Sequence, residues 1–224
     1  MSLPGAQPAT AAPGASDHEQ VVGRLAVGYL GRATVGAGTV PAAGAPGPEG
    51  FAVIIPAPVI GIRYWVNSLL GIDAGIGIGM IGGSVDTSPG GAGDGDLDSS
   101  TAFLFHAGVP LSLASTNHFS FQIVPEANVG IGSAEQGDGD FEHSGFHFDI
   151  GARAGAEIHF GFMNIPQLSL QGSVGLLFAM DSASTDIADG PPDSVSASRT
   201  SLQTTVGSNP WNIFTSNVAA FYYF

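Results

Sequence analysis

Two short runs place a nucleophile near a base. His118-Phe119-Ser120 has an H-x-S spacing, and Glu142-His143-Ser144 sets a carboxylate, an imidazole and a hydroxyl on consecutive residues. A serine nucleophile needs its base within hydrogen-bond reach and a third group to orient that base. Acyl hydrolysis or transfer is the chemistry these residues would carry. The G-x-S-x-G, G-x-x-x-x-G-K-[ST] and H-E-x-x-H patterns are absent, so the leading expectation is a protein that is not an enzyme. Asp94-Gly95-Asp96-Leu97-Asp98 has the D-x-D-x-D opening of a Ca²⁺ loop but lacks the downstream glutamate of an EF-hand. No metal or cofactor site is assigned on that basis; Asp94, Asp96 and Asp98 stand as a minor Ca²⁺ candidate.

The remaining ionisable residues are distributed unusually. The 224-residue chain has five Arg, no Lys, 19 Asp and Glu, no Cys, 34 Gly and a net charge of −14. Zero Cys excludes a disulfide framework, a cysteine-ligated metal and a cysteine nucleophile. An acidic chain without lysine lacks the basic footprint of a nucleic-acid binder. Charged residues make up 11% of the chain, under half of the roughly 25% usual for soluble domains. The composition is that of a chain whose solvent is not mainly water.

Hydropathy alternates with period two, which reads as strand. In 144–162, Phe146, Phe148, Ile150, Ala152, Ala154, Ala156, Ile158, Phe160 and Phe162 share one face, and every ionisable residue lies on the other. The same alternation runs through 22–34, 58–66, 69–83, 101–113, 118–132, 168–180 and about 211–224, eight strands in all. Asn67-Ser68, Ala114 to Asn117 and Met163 to Gln167 are short links. Those at about 35–52, 84–100, 133–143 and 182–210 are long. Short and long links alternate strictly, so all short turns fall at one end together with both termini. No run reaches the roughly 20 apolar residues of a membrane-spanning helix. Residues 1–20 have neither a basic n-region nor an apolar core and read as a flexible tail without a secretory signal; residues 21–224 form the strand domain.

The expected fold is all-β: an eight-stranded antiparallel up-and-down transmembrane β-barrel with a filled polar interior. Large aliphatics face lipid, because the opposite face, rich in Gly and poor in charge, would make a poor aqueous surface. Tyr64, Phe119, Phe121, Phe160, Phe162, Tyr222 and Phe224 form an interface girdle at the short-turn end, and Phe103, Phe105, Phe146, Phe148, Phe178 and Phe214 form one toward the long loops. The interior list is Arg24, Arg32, Arg63 and Arg153 with Asp73, Glu126, Asp149 and Glu157, four charges of each sign. Hairpin register brings Arg63 to Asp73 and Glu126 to Arg153. So narrow a barrel is expected to be plugged by these pairs rather than to form a gate or ion path.

The chain resembles the small OmpA/OmpX-type outer-membrane barrels of bacteria. The resemblance rests on the eight-strand pattern over 22–224 and on the final NVAAFYYF, where Val218, Ala220, Tyr222 and Phe224 alternate up to a terminal aromatic. It implies an outer-membrane location with periplasmic termini, the signal peptide being absent from this chain. It also implies recognition of the last strand by the barrel-assembly machinery. Expected partners are membrane lipid and lipopolysaccharide, with no nucleic acid and a monomeric state. The acidic long loops face outward in a structural or surface-interaction role. The alternatives are a small pore for solutes and a lipid-modifying outer-membrane enzyme.

Overall fold

In a computed structural model, residues 15–41, 48–85, 95–136, 141–187, 194–206, 211, 214 and 217–224 are described. A short helix α1 (Asp17–Val21) precedes strands β1 (Leu25–Ala37), β2 (Val40–Pro41), β3 (Pro48–Gly50), β4 (Val53–Trp65), β5 (Gly71–Val85), β6 (Gly95–Gly108) and β7 (Leu111–Ser115). Then come β8 (Phe119–Gln136), β9 (Phe141–Phe160), β10 (Ile165–Ile187), β11 (Val195–Thr204) and β12 (Val218–Tyr223). No helix among the described residues is long and apolar enough to cross a membrane. All pairings are antiparallel. Ten of the strands form one sheet arranged as a ring, running β1–β4–β5–β6–β8–β9–β10–β12 and closing from β12 to β1, with β7 on β8 and β11 on β10. β2 and β3 pair separately.

The sheet has ten segments where the alternation predicts eight strands, because two strands are interrupted. Pro110 has no N–H to donate to a ladder, so β6 stops at Gly108 and the pairing with β8 resumes at Leu111. The predicted strand at 211–224 is only β12; its ladder on β10 is continued by β11, which lies within the segment read as a long loop. Phe214 is consequently outside any strand, its ring tilted at 40° to that of Trp211 with centroids 6.1 Å apart. The other girdle aromatics lie on the outer face, with Phe148 and Phe160 half-buried and the rest exposed.

Around most of the ring the alternation sorts side chains as expected: Ile72, Ile76 and Ile78 are exposed while Asp73 is buried, and Leu168 and Leu170 are exposed while Ser169 and Gln171 are buried. The first hairpin departs from this pattern. The β4–β5 ladder ends at Val59↔Gly77, just below Pro58 and Pro56, which cannot donate to it. On the other side β1 pairs with β12 only over Ala26–Tyr29. There a bulge places Gly31 at φ 127, a region that L side chains rarely adopt. Freed on both sides, the upper β1–β4 hairpin folds into the ring. Val35, Ala37, Ile55 and Ala57 are fully buried, Gly38 N–H donates to Ser144 O (3.1 Å), and Thr39 N–H donates to Thr185 Oγ1 (2.9 Å). A Cβ on Gly145 would run into the Gly36 carbonyl; glycine in the facing strand makes room for the inserted hairpin.

Residues 17–20 are also more ordered than a tail. Ser16 Oγ accepts from Glu19 N–H, and Glu19 reaches back to Ser16 N–H at 2.8 Å, a complete capping box. The helix seats His18 and Val21 in the short-turn end of the ring. We expect Gly145→Val to cost about 1–3 kcal/mol through overpacking against the inserted hairpin, read as a lowered midpoint of urea unfolding in detergent.

Candidate functional site

The polar interior falls into two tiers. The lower one centres on Arg63 of β4, which is 1% exposed. Its guanidinium donates to both carboxylate oxygens of Asp73 on β5 (Nε–Oδ1 2.8 Å, Nη2–Oδ2 2.7 Å). Nη1 donates to Glu157 Oε2 on β9 (3.0 Å), Gln171 Oε1 on β10 (2.9 Å) and Gln122 Oε1 on β8 (3.4 Å). Glu157 in turn accepts from Ser169 Oγ (2.5 Å), Tyr223 OH (2.9 Å) and Gln122 Nε2 (2.6 Å). Tyr223 OH also accepts from Trp65 Nε1 at 3.0 Å, and the guanidinium carbon lies 4.0 Å from the Phe221 ring centre. One cation thus gathers side chains from six strands, and its charge is compensated within hydrogen-bond distance, as a desolvated ion requires.

Helix α1 lies directly beneath. The His18 ring meets Trp65 edge-on with centroids 4.5 Å apart, and its Nε2 lies 2.9 Å from Ser68 O. His18 Nδ1 has no partner, so the ring fits the neutral form donating through Nε2. Asp17 fastens the helix to the rim, taking His118 Nδ1 at 2.7 Å and Gly161 N–H at 3.1 Å.

The upper tier pairs Arg153 with Glu126 (2.5 Å) and builds a chain from strand to strand. His106 Nδ1 lies 2.8 Å from Asn128 Oδ1, and Asn128 Nδ2 donates to Asp149 at 2.8 Å. His147 stands between Asp149 (2.7 Å) and Asp181 (2.6 Å). With a carboxylate at each nitrogen, a doubly protonated His147 donates on both sides. Arg199 reaches Asp181 at 3.7 Å from the rim.

Six of the eight charges expected inside are therefore buried and paired, including the two contacts expected from hairpin register, Arg63–Asp73 and Glu126–Arg153. Two are not in the network. The Gly31 bulge inverts the phase of β1, so Arg32 is exposed, and Arg24 precedes the strand and is half-buried. The four-to-four balance fails accordingly, and His147 replaces part of the missing positive charge. Sequence reasoning missed His147, His106, Asn128, Gln122, Gln171 and Tyr223. Their inward phase was legible from the alternation, but no charge count singled them out.

The nucleophile–base runs are not assembled. His118 bonds Asp17 while Ser120 bonds Ser112 Oγ at 2.8 Å. His143 and Ser144 are neighbours on one strand and face opposite ways: His143 is buried against Thr185, and Ser144 is exposed against Ser184. Of the Ca²⁺ candidates, Asp94 and the Asp96 side chain lie outside the described residues, and Asp98 is exposed.

Arg63→Met strands two buried carboxylates and is expected to cost about 3–5 kcal/mol. Arg24→Met, outside the network, should change stability by no more than about 0.5 kcal/mol. Urea titrations of both variants in the same detergent compare them. Burial is the main cause that holds His18 below its ordinary value of 6.5, outweighing the bond to Ser68 and the attraction of Glu157. The unfolded imidazole then binds more protons than the folded one, so the seating of α1 is fully favoured above pH 6.5 and is lost as pH falls below it. Emission from Trp65 in a Trp211→Phe background should report this release, and His18→Phe should abolish its pH dependence. No family model matches this sequence, and no curated protein matches it significantly.

Proposed function

We propose that this chain is a bacterial outer-membrane protein: an eight-span up-and-down transmembrane β-barrel, monomeric, with a structural or surface-interaction role rather than an enzymatic one. Counting β6 with β7 and β11 with β12 as single interrupted spans gives eight. The observation that carries the reading is reversed polarity. Arg63, Asp73, Glu126, Asp149, Arg153 and Glu157 are buried inside the ring, while Ile60, Ile72, Ile76, Phe105, Phe121, Ile150 and Leu176 are exposed around it. Soluble proteins rarely expose apolar patches beyond a few hundred Å², whereas a lipid-facing wall requires one. Around most of the circumference the ring of strands also satisfies the backbone within the sheet, the condition for crossing hydrocarbon.

Closure of the lumen is supported by the Arg63 tier and by α1 beneath it, which together occupy the short-turn end. The acidic loops then face outward, available to lipopolysaccharide. The alternating aromatic β12 is the segment the barrel-assembly machinery would read, as in the resembling family. Unboiled protein in detergent should migrate faster on a gel than boiled protein, and planar bilayers should show no steady current. A chain that folds and stays soluble without detergent overturns the membrane reading; steady single-channel conductance overturns the closed lumen.

A further inference from the structure

The inward turn of the first hairpin leaves a gap in the wall formed by the described residues. Above Tyr29↔Ala220, the topmost pair joining β1 to β12, β1 pairs only with β4. Among the described residues β11 has no strand on the side away from β10. The gap is bounded below by the β1–β12 ladder and above by Arg199, whose guanidinium carbon lies 4.9 Å from the Phe51 ring centre. Its sides are Gly31–Thr34 and Gln203–Thr205 with Asn217. Behind it is a cavity of about 430 Å³ reaching His106, Glu126, Asn128, His147, Asp149 and Arg153, within the range of small-molecule sites (about 300–1,000 Å³).

Three observations define what this opening would take. Arg32 lines the mouth, is exposed, and has no ion-pair partner among the described residues. His106 also lines the cavity; it is more than nine-tenths buried, yet its Nε2 has no hydrogen-bond partner. By contrast the carboxylates of Glu126 and Asp149 are already engaged by Arg153, His147 and Asn128; the free groups at the opening are the Arg32 cation and, because His106 donates through Nδ1 to Asn128 Oδ1, the acceptor Nε2 of His106. The opening also sits at a defined height: His106, His147 and Leu177 on its inner wall are chain neighbours of the girdle aromatics Phe105, Phe148 and Phe178. That is the level at which amphiphile head groups meet the hydrocarbon.

We propose that this lateral window is a binding site for a single-chain amphiphile with an anionic head, the head entering beside Arg32 and the chain remaining in the bilayer. The inference rests on the membrane-barrel reading. The test uses the folded full-length chain in zwitterionic nanodiscs, with spin-labelled dodecanoate as probe. The expected result is saturable binding of one molecule per chain, displaced by dodecanoate but not by acetate or dodecyltrimethylammonium. Arg32→Gln should weaken it about tenfold, the effect of losing one charge-assisted contact. Ala33→Trp, which fills the mouth, should abolish it, while Arg24→Gln, an equal charge change elsewhere, should leave it within about twofold. Displacement by the single-chain lysophosphatidylglycerol added to the disc assigns the site to a lipid head group, and its failure to displace assigns it to a free acid. Unsaturable partitioning, or equal binding by Arg32→Gln and the native chain, overturns the proposal. All three variants are first checked for heat-modifiable migration, and a misfolded Ala33→Trp is replaced by Thr204→Trp at the opposite side of the mouth. Failure of the barrel reading is seen separately, as folding in water without detergent.

Discussion

Placing Arg63 at the centre of a ring of strands constrains everything around it. A guanidinium withdrawn from water must have its charge compensated and its donors met. Asp73 meets one edge bidentately, and Glu157, Gln122 and Gln171 share the other. These partners come from strands far apart in sequence, so the bond set fixes several registers at once. A one-residue slip of β5 would turn Asp73 outward and Ile72 inward, leaving a buried cation facing an aliphatic side chain. The ion network is thus less a source of stability, since buried pairs roughly offset their own desolvation, than a device that makes one arrangement of strands far better than its neighbours.

The two halves of the interior solve the filling problem differently. Near the short turns, polar side chains and α1 occupy the space. Near the long loops, the chain folds its own first hairpin inward, and Val35, Ile55, Ala57 and Leu104 form an apolar core inside the ring. The cost of that second solution is that, among the described residues, upper β1 and β11 are each paired on one side only. In the membrane reading proposed above, backbone left without a partner in hydrocarbon is unfavourable, and such a seam is tolerable only where it borders a polar space. That is where the cavity behind Arg32 lies.

Much of this was legible in the alternation. Exposed Ile150 against buried Asp149 and Arg153 follows from period two alone, and Arg63–Asp73 follows from a short turn because hairpin register is local. What was hidden depended on single backbone events or on distant partners. The bulge at Gly31 inverts the phase of β1 and carries Arg32 outside; nothing in the flanking residues announces it. Val35 falls in the segment read as a long link and Ile55 ahead of the strand read at 58–66; both belong to β1 and β4, and the loss of the β4–β5 ladder above Val59 sends them inward. The Ser16–Glu19 capping box is visible as a motif, but a five-residue helix has too little periodicity to read. Its place beneath Trp65 is set by tertiary packing.

The closing ladder between β1 and β12 holds just Ala26–Tyr29 against Ala220–Tyr223, while its partners stand nearly the whole chain apart. Loop-closure entropy grows only logarithmically with separation, so the equilibrium penalty for this joint is modest. Its kinetic consequence is larger, because contacts of such long range form late. Assembly therefore passes through an open curved sheet whose hairpins are complete before its two ends meet, and that final joining step sets the pace. The same short joint, extended at its lower end by the Phe224 N–H to Leu25 O bond (2.9 Å), is where thermal opening is expected to begin.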